Sequence, residues 1–403
     1  MSLVALTAGF LPLFDSVLLV VAKEMGFAES EGLALTLSRE TSWANIRDRA
    51  ALGHFDVALM LAPMPIAASL GLTPLATRMI TPVMAGLGNN AITVSGELWH
   101  QMVSAGAPAD MSPAATGRSL AAVVRGSPRR LRFAVVHQTS SHNYELRYWL
   151  AASGIVPDRE IEIVVLPPPL LPEALKSGGI DGYCVGEPWN SVGVETAGGH
   201  IATAKALIWQ NSPDKVIGMR ADWADRNPEV VQRLVRSIYR AGSWVGDPQN
   251  HGAAAQIMSR PGYLDQPAEV VERALAGRLV TGHGAMTVPD FFVPHASAAN
   301  VPWQSHALWY YSQMVRWGEL TASRAQAEIA RSCFRPDIYR AALESLGVDA
   351  PAADMKRDGV HAGPYLVPGR LGPIDMGPNT FFDGGVFDPD QIDAYIAHQA
   401  SAD

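Results

Sequence analysis

The sequence predicts an α/β protein built as two lobes with a cleft between them. Three observations carry this. Short apolar, strand-like runs alternate with helix-like runs from Leu3 to the apolar run that follows Lys215, the order that builds helix-covered, parallel sheets. The alternation comes as two successive blocks. From Pro228 onward it gives way to long amphipathic helices and Pro/Gly-rich connections. The spans that follow are 1–90 for the first part of lobe 1, 91–212 for lobe 2, and 213–403 for a return to lobe 1 with a helical and looped extension. A chain of 403 residues, 48% hydrophobic and 17% charged, is long enough for two or three domains.

In order along the chain, Leu3 to Phe10 reads as a strand. Asp15 to Met25 reads as a helix with Asp15 or Ser16 as its cap. Leu33 to Ser38 is a second strand. Ser42 caps a helix to Leu52, and Val57 to Leu61 is a short buried strand. Pro65, tolerated in a first turn, opens a helix to Leu70. Ala91 to Val94 is a strand and Glu97 to Ser104 a helix. The second block repeats the pattern: strand Leu131 to Val136, helix Ser140 to Ala152, strand Ile161 to Leu166, helix Leu171 to Lys176, strand Gly182 to Val185. Glu229 to Trp244 is a long amphipathic helix. Asp354 to Asp388, rich in Gly and Pro and without periodicity, reads as a long ordered surface loop.

Composition narrows the function. The net charge is −8 with no basic block, which disfavours non-specific nucleic-acid binding. Two cysteines, Cys184 and Cys333, form no CxxC pair, so a structural zinc site is not expected. Cys184 lies in a strand and reads as a packing residue rather than a nucleophile. No apolar run approaches the ~20 residues of a membrane span. The first residues lack the basic segment and cleavage pattern of a secretory leader, so a cytoplasmic protein is expected, or a periplasmic one if a leader has been removed. There is no GxSxG elbow, P-loop, HExxH, dinucleotide fingerprint or calcium-loop spacing. The expectation is a non-enzyme without cofactor or metal.

Ligands of open α/β sheets bind beyond the carboxyl ends of strands, so strand ends are where to look. VVHQTSSHNYELRYWL (135–150) ends a strand in a polar knot and begins a helix. A first helical turn has free N–H groups and a positive dipole end, a seat for an anion. Gln138 and His142 are placed to donate to one; plain capping by Ser140 or Ser141 is the more ordinary reading of the knot. Trp43, in the first turn of the helix after Ser42, is either a cleft wall or a core residue, and Arg47, Asp48 and Arg49 read as a solvated face. Gly186, in YCVGEPWN, either permits close backbone approach to a ligand or makes a turn. Asn89 and Asn90, before a strand, offer amides or serve the turn. Lys215, at a strand start, is either exposed or the one full positive charge of a cleft.

Several of these stretches carry a family likeness. SWANIRD, MLAPMP, NAITVS, SSHNYELRYWLAASGI, VVLPPP, IDGYCVGEPWN, DKVIG and FRPDIYR, in this order from about Gly9 to Ala341, resemble the nitrate- and bicarbonate-binding receptors of the NrtA/CmpA type. The resemblance implies a type II periplasmic-binding-protein fold, two α/β lobes joined by two crossovers with the helical tail on the first lobe. It implies an anion held by a Trp, an amide, a His, a backbone Gly and a Lys, here Trp43, Asn89 or Asn90, His142, Gly186 and Lys215. The bicarbonate branch has an acidic residue in place of the lysine and uses calcium, so Lys215 implies nitrate or nitrite and no metal. The chain also resembles the cytoplasmic nitrate/nitrite sensors of the NasS type, which hold and release an antiterminator protein of the NasT type. That likeness implies a protein partner and no direct contact with RNA. The alternative it leaves is the solute-binding subunit of an ABC importer, with a permease as partner. The same fold hosts pyrimidine-forming thiamin-pathway enzymes, whose Cys-rich run is absent here.

Overall fold

The central strands carry no polar face. Val57–Leu61 and Gly182–Gly186, both interior to their sheets, are buried at every position, as expected of strands covered on both sides. The computed structural model describes residues 3–282 and 284–402. The strands of the two lobes are, in chain order, β1 (Val4–Phe10), β2 (Leu33–Arg39), β3 (Val57–Leu61), β4 (Met79–Met84), β5 (Leu87–Gly88), β6 (Asn90–Val94), β7 (Leu131–Val135), β8 (Ile161–Val165), β9 (Gly182–Gly186), β10 (His200–Ala204) and β11 (Lys215–Arg220). They form two five-stranded sheets, β2-β1-β3-β11-β4 and β10-β6-β9-β7-β8. Two-residue β5 lies in the first crossover and pairs with Phe292–Val293.

The expectation of parallel sheets needs correcting at the crossover strands. β1 runs parallel to β2 and β3, and β7 to β8 and β9. But β11 is antiparallel to β3 and β4, and β6 to β9 and β10. The reason is the route of the chain. Strands made by β-α-β units finish at the cleft, whereas β6 and β11 arrive from the other lobe and start there. Asn90 therefore stands opposite Gly186, and Lys215 opposite Leu61. These two crossings gather strand starts and strand ends around one point.

Two caps read from the sequence are present. Ser42 Oγ accepts from Asn45 N at 3.2 Å, and Ser140 Oγ from Asn143 N at 3.0 Å. The cap read at Asp15 or Ser16 is not. Phe14–Ser16 forms a 3-10 turn, the helix runs Val17–Glu24, and neither side chain caps it. Ser16 Oγ donates to Leu13 O at 2.7 Å, and the Asp15 carboxylate is engaged across the cleft. The helix read from Pro65 spans Pro63–Ser69. Several elements were not anticipated, strand β10 and the short helices Phe27–Ser30 and Lys205–Ile208 among them, and two others show why. Helix Pro113–Gly126 had its signals in plain view, Ser112 as cap and Pro113 in the first turn. Strand β4 was hidden by Pro82, which an edge strand tolerates.

Helix Pro228–Val245 buries Val231, Leu234, Val235, Ile238, Ala241 and Val245, a three-and-four spacing, and packs against Val17–Glu24. The stretch read as a long ordered surface loop contains a hairpin, Tyr365–Pro368 with Pro373–Met376. The rest of it is tied down: Asn211 Nδ2 donates to Pro378 O at 2.9 Å, and Tyr148 OH to Asp383 at 2.9 Å. Cys184 and Cys333 are both buried, and burial pushes the Cys333 thiol up to about 11. Among the described residues no helix is long and apolar enough to cross a membrane.

Candidate functional site

Lys215 opens β11 at the cleft and is only 1% exposed. A lysine buried that far needs counter-charges. Asp214 Oδ2 lies 2.5 Å from its ammonium group and Asp15 Oδ2 3.1 Å. The exposed reading of this residue is overturned. Its other neighbour comes from the second lobe: His142 Nε2 is 3.3 Å from Lys215 Nζ.

His142 sits in the first turn of helix Ser141–Ala152, whose start is fixed by the Ser140 cap. Its Nε2 is 2.9 Å from Asn90 Oδ1. Asn90 is oriented by donating its Nδ2 to Glu145 Oε2 at 3.2 Å, so its Oδ1 faces the imidazole. His142 Nδ1 is left without a partner among the described residues. Asn89, at φ 78° in the left-handed region that Asn tolerates, donates Nδ2 to Asp15 Oδ1 at 2.6 Å. Gly186 ends β9. A Cβ there would lie 2.9 Å from Asp15 Oδ2 and 3.2 Å from Asn89 Nδ2, so the missing side chain lets the Asp15 carboxylate close onto the backbone. Trp43 opens helix Trp43–Ala51, is buried, and has its ring centroid 5.9 Å from the Lys215 ammonium. It is a buried residue and a wall of the site at once.

Six of the seven residues singled out in the sequence thus meet: Trp43, Asn89, Asn90, His142, Gly186 and Lys215. Gln138 does not. It is exposed, and only its backbone oxygen is used, accepting from Asn143 Nδ2 at 2.7 Å. The chain turns outward there, ahead of the Ser140 cap.

Sequence reasoning missed the other charges. Glu145 Oε1 lies 2.6 Å from Lys205 Nζ, which also donates to Pro213 O at 2.6 Å and stands 3.9 Å from Asp214 Oδ1. The Ser141 hydroxyl donates to Asp214. Two signals were available. Asp214 is adjacent to Lys215, and Glu145 follows His142 by three residues, on the same helix face. Asp15 and Lys205 left none, since their partners are far away in sequence. Three carboxylates, Asp15, Glu145 and Asp214, therefore face two ammonium groups, Lys205 and Lys215. A solvent-open hollow of about 760 Å³ beside Arg78, Asp222 and Arg335 is separate from this cluster and shares none of its residues.

Burial pushes the Asp15 carboxyl up to about 6 against the pull of Lys215, and Glu145 up to about 7 against Lys205. Burial would raise Asp214 too, but Lys205, Lys215 and His142 together hold it below the usual carboxylate range. Burial and then Lys215 hold His142 well below the ordinary imidazole value, so it is neutral. Burial would lower Lys215, but Asp15 and Asp214 hold it above its ordinary value.

These shifts set a stability profile. Burial also pushes Glu187 and Glu319 up to about 7. Together with Asp15 and Glu145 they bind protons more tightly folded than unfolded. Their contribution is complete below about pH 4 and is lost as pH rises through about 6 to 7. His137, lowered to about 4 by burial and by Arg47, behaves oppositely, as do His142 and His306, lowered by burial first. Their contribution is complete above about pH 6.5 and is lost as pH falls. The two groups oppose one another below about pH 6.5, and above it only the carboxyl loss remains. The melting temperature is expected to peak near pH 6 and fall towards pH 8. A melting temperature still rising at pH 8 contradicts this.

Two lobes meeting over buried charges, with Trp43 Nε1, Asn89 Oδ1 and His142 Nδ1 unpartnered among the described residues, describe a polar seat that has hydrogen-bonding capacity left over. Residues 2–259 match the NMT1-like family. The chain belongs to the NMT1-like family. Within it, the chain is 31% identical over 402 residues to the nitrate/nitrite binding protein NrtA of Synechococcus elongatus, covering 97% of this chain and 85% of that one. It is 33% identical over 399 residues to the bicarbonate transport ATP-binding protein CmpC of a Synechocystis species, covering 98% of this chain and 54% of that longer protein. The crystal structure of the periplasmic nitrate-binding protein NrtA of Synechocystis PCC 6803 superposes with a TM-score of 0.85 at 27% identity, over 98% of both chains. The NrtA/CmpA likeness and the two-lobed periplasmic-binding-protein fold read from the sequence are both borne out. This NMT1-like chain is similar to binding and transport proteins, in line with its reading as a non-enzyme.

Proposed function

We propose that this protein binds nitrate or nitrite between its lobes as the solute-binding component of an ABC import system, with a permease as its partner. The observation that carries the reading is the buried ammonium of Lys215, held by lobe 1 and facing His142 of lobe 2 at 3.3 Å. Nitrate is flat, singly charged and weakly hydrated. Lys215, Asn90, His142 and the Gly186 backbone gather around one point between the lobes, with the Trp43 indole as a wall. A charged pair with extra hydrogen bonds is the arrangement that offsets desolvation of such an ion. An anion that bonds both walls stabilises the closed arrangement, and closure is the signal a permease reads. Lys215, where the bicarbonate branch carries an acidic residue, separates this reading from bicarbonate with calcium.

This transport reading takes the periplasm as the protein's compartment. The cytoplasmic sensor with an antiterminator partner stands second, because the relatives are named as binding and import proteins. Calorimetric titration with sodium nitrate, nitrite and bicarbonate tests the proposal. Saturable heat with nitrate or nitrite, and none with bicarbonate in the presence of calcium, is expected. The reverse order of preference would overturn it.

A further inference from the structure

The charge count at this seat poses a problem that its recognised residues do not solve. Around Lys215 the protein places Asp15 from the β1 side and Asp214 from the residue before β11. His142 and Glu145 approach from helix Ser141–Ala152, and Lys205 from helix Lys205–Ile208. The neutral Asn89 amide completes the set facing Asp15. With His142 neutral and all three carboxyls ionised, as they are above about pH 7, the carboxylates exceed the ammonium groups by one charge. A second negative charge brought into a buried site with no compensation is strongly unfavourable.

The position of Asp15 suggests the resolution. Its Oδ2 stands over Gly186, 2.9 Å from where a Cβ would be, and 3.1 Å from Lys215 Nζ. Its Oδ1 takes the Asn89 amide. The carboxylate thus makes the contacts with lysine and amide that a small oxyanion would make, in the space that the missing Gly186 side chain leaves. We propose that Asp15 is a specificity-determining residue of this seat, whose carboxylate is the protein's own competitor for the anion and takes up one proton from solvent as the anion enters. The inference rests on the anion-binding reading above. In the exchange one O–H bond forms on Asp15, and Lys215 passes from the carboxylate to the anion. The charge of the seat is the same before and after. A singly charged anion fits this exchange, whereas a doubly charged one would need a second proton. Burial holds the Asp15 carboxyl at about 6, which makes the uptake feasible near neutral pH.

If only the protonated form admits the anion, the apparent affinity follows the protonated fraction. For a group titrating at about 6, that fraction falls from about one half at pH 6 to about one hundredth at pH 8. Nitrate should therefore bind about 50-fold tighter at pH 6 than at pH 8. Titrations of the unmodified protein between pH 5.5 and 8 measure this. At pH 7.5, runs in Hepes and in Tris differ in heat by the protons exchanged, and about one proton taken up per nitrate is expected. A protonated-carboxyl infrared band should appear on adding nitrate, which distinguishes a carboxyl from the His142 imidazole, and its loss in Asp15→Asn assigns it to Asp15 and not to Glu145. Asp15→Asn should bind nitrate with a flat pH profile, at pH 8 at least as tightly as the unmodified protein at pH 6. Nitrate affinity constant between pH 6 and 8 with no proton uptake overturns the inference alone. A pH slope kept by Asp15→Asn, or uptake without the carboxyl band, overturns the assignment to Asp15. No binding of nitrate or nitrite at any pH overturns the anion-binding reading and this inference with it.

Discussion

Lys215→Met is expected to abolish nitrate and nitrite binding and to destabilise the fold by about 3–5 kcal/mol, the cost of leaving buried charge without its partner. The side chain is of similar length, so packing is nearly kept and the loss is electrostatic. Asp214 and Asp15, 2.5 and 3.1 Å from the ammonium, lose the group that balances them. Lys205, 3.9 Å from Asp214, is already committed to Glu145 at 2.6 Å. Without Lys215 both carboxyls rise, Asp15 further above its unfolded value and Asp214 from below it. A group raised in this way contributes stability that is complete below its unfolded value of about 4 and lost as pH rises through the folded one. The deficit of the variant should therefore be small near pH 5 and full near pH 8. Thermal melts across that range, beside calorimetry at one pH, check both halves. A variant that still binds nitrate removes Lys215 from the seat, and a melt unaffected at pH 8 removes the charge argument.

Gly186→Val is expected to eliminate binding with a smaller loss of stability, about 1–3 kcal/mol, the usual cost of overpacking a filled site. Even the first added carbon would lie 2.9 Å from Asp15 Oδ2, 3.2 Å from Asn89 Nδ2 and 3.4 Å from Asn90 Oδ1. The nearest of these is the far end of a side chain and can move, but moving it breaks the approach to Lys215. The two methyl groups of valine then occupy the volume beside the backbone N–H. Gly186 lies within β9 opposite Asn90, and valine suits a strand, so the backbone has no reason to change. Nitrate titration and urea unfolding separate the two effects. Retained affinity in this variant shows that the ligand does not approach Gly186.

Much of this protein was legible in its sequence, and the reason is the locality of the signals. Ser42 and Ser140 cap their helices through bonds to residues three positions on, so the capping motif and the bond are the same short stretch. The buried strands Val57–Leu61 and Gly182–Gly186 are apolar or small along their length. Where the reading failed, the cause was a distant partner. Asp15 looked like a cap because caps are local, whereas its carboxylate bonds Asn89 and pairs with Lys215. Gln138 and His142 looked alike in the polar knot. Only the direction of the first helical turn sends His142 into the cleft and leaves Gln138 in solvent.

The sequence alone determined the alternation of strands and helices, the two blocks, and the placement of Trp43, Asn89, Asn90, His142, Gly186 and Lys215 near the starts and ends of strands, since each follows from neighbours along the chain. The tertiary structure decided that β6 and β11 run against their neighbours, and that Asp15, Glu145, Lys205 and Asp214 surround the lysine. Those facts depend on which strand ends the two crossings bring together. Charge balance in a buried site is a property of the assembled lobes, and no window of sequence contains it.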